Sequence, residues 1–167
     1  MYYHLRREQK FSEDRIKFYT AEITVAVDHL HSLNIIYRDL KLENILLDAA
    51  GHVKLVDFGL SKQLGDAENG KTNTFCGTPE CLAPEIIDDE FYLSGYGKEV
   101  DWWALGVVTY EMLCGILPFG SNSTQETNRL FMKILSHDID FKSAPRGTSR
   151  DLKRLISALL VKGISFE

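Results

Sequence analysis

Cysteine is scarce in this chain. Its 167 residues carry three, Cys76, Cys81 and Cys114, an odd number with no CxxC pair and no Cys/His ligand spacing. That argues against a disulfide framework or a zinc site and points to a reducing compartment, the cytoplasm with the nucleus included. Excess positive charge is also missing. The formal net charge is −5, which disfavours nucleic acid as a partner, because phosphate binding wants a basic face. Long apolar runs are missing too. Residues Met1 to Arg7 contain no signal-peptide core. The most apolar stretch, Trp102 to Phe119, is interrupted by Glu111 and bounded by Asp101 and Pro118. It reads as a buried helix, so no membrane span is expected.

What is present is an ordinary globular composition, 44% apolar and 26% charged, long enough for one domain with a sizeable core and without internal repeat or heptad. Residues 1–9 read as the end of a helix. Ser12 is a good N-cap, with Glu13 and Asp14 in the first turn. Ile16, Tyr19, Ile23, Ala26, Val27 and Leu30 then mark a long amphipathic helix over 12–32. His29 and His31, near its end, read as surface or packed histidines rather than metal ligands. Residues 45–47 and 53–56 are short strand-like runs joined by a turn at 48–52. Residues 61–80 and 88–97 read as loops. Helices are expected over 101–114, with Gly115 as a stop, over 124–136 with Leu130, Ile134 and Leu135 inward, and over 149–161 capped by Thr148 or Ser149. In the last, Leu152, Leu155, Ile156, Leu159 and Leu160 are the apolar positions. The fold class is mainly α, a helical bundle with a small β-hairpin.

That hairpin brackets the polar residues with the clearest chemistry. Asp39, Lys41 and Asn44 precede its first strand, and Asp57-Phe58-Gly59 follows its second. Phosphoryl transfer asks for positioning and charge neutralisation more than covalent chemistry. Asp39 suits the carboxylate that orients a hydroxyl and accepts its proton. Lys41 suits the cation that meets the transferring group. Asn44 and Asp57 supply oxygen ligands of the kind magnesium prefers. Gly59 permits a turn after Asp57, and Phe58 is an apolar peg. Each residue alone means little, but R-D-x-K-x-x-N followed thirteen residues after Asn44 by D-F-G is a specific combination.

The motifs YRDLKLENILLD (37–48), DFGLSK (57–62), TFCGTPE (74–80), LAPE (82–85) and VDWWALGVVTYEMLCGILPF (100–119) resemble the C-terminal lobe of serine/threonine protein kinases. More narrowly they resemble the AGC group, near protein kinase B and the ribosomal-protein kinases. The resemblance covers about residues 1–160 as a partial kinase domain, with 161–167 as a divergent tail. It implies ATP and Mg²⁺ as cofactors, with Lys41, Glu43, Asn44 and Asp57 in contact with them and the last Asn and Asp on the metal. It also implies a phosphorylated threonine, Thr74, made by an upstream activating kinase and paired with Arg38. Thr78 is expected near Asp39 and Lys41, Leu82 in the pocket for the residue after the phosphoacceptor, and Glu43 and Glu111 on basic residues before it. Asp101, which by sequence alone would be a helix N-cap, is expected to hold the catalytic-loop backbone.

The sequence also departs from the resemblance. No Gly-rich loop and no V-A-I-K lysine occur in it. The arginine expected to pair with Glu85 after Leu160 is replaced by Val161 to Glu167, and Cys81 stands where an aromatic is usual. The first reading is therefore a lobe laid out to transfer the γ-phosphoryl of ATP to Ser or Thr of protein substrates, with poor turnover alone. The alternative is an inactive fragment acting as a decoy that binds substrates or upstream kinases.

Overall fold

The structure, a computed structural model, describes residues 1–65, 70–88, 94–120 and 127–162. Among them are six α-helices: α1 (Tyr2–Glu8), α2 (Glu13–Ser32), α3 (Pro84–Ile87), α4 (Glu99–Cys114), α5 (Thr127–Ser136) and α6 (Arg150–Leu159). Four short strands pair as two antiparallel ribbons. Strands β2 (Ile45–Leu47) and β3 (Val53–Leu55) form the expected hairpin, with Ile45 opposite Leu55. Strands β1 (Ile35–Ile36) and β4 (Lys62–Gln63) form a second ribbon. It was not legible in the sequence, because two residues carry no period.

The centre is α4. Its residues Val100 to Cys114 are buried almost all round, as an apolar helix without a polar face requires. Helix α2 lays Ile16, Tyr19, Ile23 and Val27 against it, and Thr20 and Thr109 meet across that contact at 3.4 Å. Helix α6 packs on another side. Gly106 makes this possible: a Cβ there would lie 2.9 Å from side-chain atoms of Leu159 and Leu160. Gly115 ends α4 in the left-handed conformation, φ 74°, at no steric cost to a residue without a Cβ. A Cβ there would come within 2.2 Å of the Gln9 carbonyl oxygen, so the end of α1 docks tightly on the end of α4.

Some expectations are corrected. The N-terminal segment is helical over Tyr2–Glu8, where a helix ending near residue 9 was expected. Ser12 has the extended backbone of an N-cap, but no cap hydrogen bond from its side chain. Ser149 does cap α6, accepting from the Leu152 amide at 3.1 Å. Asp101 lies inside the first turn of α4, whose N-cap is Lys98. Leu155 is 44% exposed, outside the core. Within the 61–80, 88–97 and 124–136 predictions, residues 66–69, 89–93 and 124–126 lie outside the described residues, as do residues 163–167 of the tail. Among the described residues the three cysteines are free, and no helix is long and apolar enough to cross a membrane.

Candidate active site

The segment between β1 and β2 folds around Asp101. This carboxylate is 1% exposed. Oδ2 accepts from the Tyr37 amide at 2.8 Å and Oδ1 from the Arg38 amide at 2.8 Å. His31 Nε2 lies 2.8 Å from Oδ2; an ionised carboxylate can only accept, so this nitrogen carries the proton. Arg38 is held in the left-handed region, φ 67°, a conformation that costs a non-glycine residue about 1–2 kcal/mol. The two charge-assisted bonds to Asp101 offset it and turn the next residue, Asp39, inward.

Asp39 is 6% exposed and is surrounded by donors. Thr78 donates its hydroxyl to Oδ1 at 2.6 Å. Asn44 donates Nδ2 to Oδ2 at 2.8 Å and to the Asp39 carbonyl at 2.9 Å. Lys41 Nζ lies 2.8 Å from Oδ2 and also donates to Thr78 Oγ1 at 2.9 Å. Four residues expected together are thus brought together. The β2–β3 hairpin adds the fifth: the Val56 amide donates to the Asn44 carbonyl at 3.0 Å, which sets Asp57 beside Asn44. Asp57 is exposed in a left-handed turn, φ 60°, and accepts from the Gly59 amide at 3.2 Å. Phe58 is 49% exposed, its ring edge-on to Tyr37 with centroids 5.4 Å apart. The Tyr37 hydroxyl donates to the Val56 carbonyl. Burial, with the Asp39 carboxylate adding to it, pushes that phenol well above its usual range, so it remains a donor.

Thr74 is exposed. Arg38 reaches it through an intermediate: the guanidinium donates to the Tyr96 hydroxyl at 3.4 Å, which donates to the Thr74 carbonyl at 2.5 Å. Arg38 Nε is anchored on the Leu60 carbonyl at 2.6 Å. Lys62 Nζ lies 3.2 Å from Thr72 Oγ1, which is 3.4 Å from Thr74 Oγ1. Lys62, Thr72 and Tyr96 are additions that the sequence did not suggest, since nothing in it shows the bridge between Thr72 and Tyr96.

On the other flank, Glu43 and Glu111 are close enough to affect each other, and Glu80 joins them. Burial, then the Glu43 charge, raises the Glu111 carboxyl to about 7; Arg6 opposes the rise and Glu80 adds to it. Burial and the same carboxylates keep Cys81 a thiol. Leu82 is 3% exposed, within the wall behind Thr78. Burial also raises Glu85, with Glu99 adding to it, and among the described residues no cation pairs with Glu85. Glu111 yields a stability prediction. Its acid form is favoured by folding, so its penalty is absent below pH 4.5, grows between 4.5 and about 7, and is complete above that. Glu111→Gln is expected to be more stable than the parent by about 1–2 kcal/mol at pH 8, after discounting for partial exposure, and by much less at pH 5. Urea midpoints at the two pH values check this; an equal difference at both would refute it.

The family model described as the protein kinase domain matches residues 1–165. The chain belongs to the protein kinase family. It is 51% identical over 162 residues to RAC-beta serine/threonine-protein kinase A of Xenopus laevis, 50% to the RAC-beta kinase of Rattus norvegicus and 49% to that of Homo sapiens. Each alignment takes in 97% of this chain and 31% of the relative, so the kinase chain spans about a third of the length of the curated relatives it matches.

Protein kinases as a family use ATP and magnesium. The donor set here suits the metal. Asn44 spends its amide nitrogen on Asp39, which leaves its carbonyl oxygen available. Asp57 offers an exposed carboxylate, and both are hard oxygen ligands. Among the described residues no group of three or more His, Cys, Asp or Glu side chains forms a metal cluster of its own. Both histidines flagged near the end of α2 have structural settings: His31 on Asp101, and His29 in the last turn.

Proposed function

We propose that this chain is the phosphoryl-transfer lobe of a serine/threonine protein kinase, residues 1–160 forming the lobe and 161–167 a divergent tail. The observation that carries the reading is the Asp39 carboxylate, held between Thr78, Asn44 and Lys41 at 2.6–2.8 Å. Asp39 orients the substrate hydroxyl and takes its proton, and the three donors fix its direction. Lys41 faces the transferring group and stabilises its developing charge. Asn44 and Asp57 hold magnesium, with Lys41 and Glu43 on the nucleotide side. Bound ATP and Mg²⁺ supply the phosphoryl group and neutralise its charge. Phosphorylation of Thr74 by an upstream kinase brings a dianion to the Arg38–Tyr96 link, where Lys62 is also within reach. Glu43, Glu80 and Glu111 favour substrates with basic residues near the target Ser or Thr, Leu82 shapes the pocket beside it, and the working compartment is the cytoplasm with the nucleus included.

The test is a replacement. The matched 162 residues of the human RAC-beta kinase are exchanged for those of this chain. Transfer of labelled γ-phosphate to a serine peptide with arginines before the target is expected. A folded hybrid that binds the peptide without turnover would sink this reading and favour a binding decoy.

A further inference from the structure

A second concave feature lies apart from Asp39. A cavity of about 760 Å³ opens between the end of α1, the end of α4 and the 142–146 segment. Its charges are lopsided. Among the described residues, Arg6, Lys10, Lys142 and Arg146 line it against a single carboxylate, Glu111, in a chain whose net charge is −5. Surfaces without a binding task usually intersperse the two signs. Little in the cavity cancels these cations. Lys142 meets Asp140 at 3.3 Å with both side chains largely exposed, 88% and 58%, a pairing worth about 0–1 kcal/mol. Arg146 has no ion-pair partner among the described residues. Lys10 donates to the Ser143 carbonyl at 2.6 Å, which ties the two walls together and leaves its charge at the rim.

The size suits several residues of a chain rather than one small ion, being within the range of about 300–1,000 Å³ common for ligand sites. Guanidinium and ammonium groups on both walls suit carboxylate or phosphate oxygens. Glu111 is shared: it lines this cavity and also responds to Glu43 and Glu80. An acidic face and a basic cavity therefore adjoin, and a polypeptide lying across both meets one sign and then the other.

We propose that the cavity takes a short acidic or phosphorylated segment of the substrate polypeptide, separated in sequence from the basic residues that meet Glu43, Glu80 and Glu111. The proposal rests on the acid face being a substrate surface. The experiment compares two peptides on the full chain by fluorescence anisotropy. One carries arginines before a serine; the other adds, through a flexible linker, a block of glutamates and one phosphoserine. The added block is expected to tighten binding about tenfold. The double charge reversal R146E/K142E is expected to remove that gain and leave the first peptide unchanged; R146Q/K142Q, milder on folding, is expected to remove most of it. The proposal is overturned if the two peptides bind within twofold of each other, or if the gain survives both pairs of substitutions. Should the first peptide fail to bind while the second binds and loses affinity in the variants, the cavity stands and the acid-face reading fails.

Discussion

Asp101→Ala is expected to destabilise the chain by about 3–5 kcal/mol, the scale for leaving several buried donors without their acceptor. The carboxylate is 1% exposed and carries three contacts, from the Tyr37 and Arg38 amides and from His31 Nε2, each at 2.8 Å. Alanine leaves those donors without the carboxylate that now accepts from them in a buried site. Each orphaned buried donor costs about 1–3 kcal/mol, and the left-handed Arg38 loses the bonds that offset its strain. A domain with about 5–15 kcal/mol in total gives up much of its margin. The His31 ring, edge-on to Trp102 with centroids 5.0 Å apart, loses its anchor too. Urea unfolding followed by tryptophan fluorescence gives the magnitude, and hydrogen exchange at the Tyr37 and Arg38 amides gives the location. A change under about 1 kcal/mol, with both amides still protected, would show that Asp101 does not hold this turn.

The same residue shows what the sequence could and could not disclose. Periodicity placed α2, α4 and α6 within a few residues, because each buries an apolar stripe or a whole surface that repeats along the chain. The hairpin was legible from two strand-like runs and a turn. Of the partners of Asp101, the loop backbone was expected only through the family resemblance and His31 not at all: His31 is 70 positions away and the two amides 64 and 63, and no local pattern encodes such contacts. The ribbon of β1 and β4 escaped for the same reason. At the candidate site, the types and spacing of Asp39, Lys41, Asn44 and Asp57 were enough to suggest the chemistry. Glu80, Lys62, Thr72 and Tyr96 were passed over because their relevance comes from neighbours supplied by distant segments. Reading Asp101 as an N-cap was a reasonable inference from an acid at the start of an apolar run, and Lys98 displaced it by extending the helix one turn earlier.

The largest functional effect is expected at Asp39. In the RAC-beta hybrid, Asp39→Asn is expected to lower kcat about 10²–10⁴-fold, the usual scale for losing a general base. Asparagine has nearly the same shape. Its carbonyl oxygen still accepts from Thr78, but its amide nitrogen faces the Lys41 and Asn44 donors, so a modest fall in the thermal midpoint, without loss of the fold, is expected beside the loss of kcat. What it cannot do is accept the proton of the attacking hydroxyl, and it removes the charge that Lys41 and the Asn44 amide now face at 2.8 Å. Asn44 and Asp57, the proposed metal ligands, are untouched, so the KM for ATP should change little while kcat falls, the signature of an interaction made in the transition state alone. A merely structural Asp39 would give the opposite pattern, with a large loss of stability and kcat within about tenfold of the parent once the folded fraction is counted. Measured together, initial rates across ATP concentrations and a melting curve separate the two, because a loss of base function and a loss of loop geometry predict different ratios of kcat to KM.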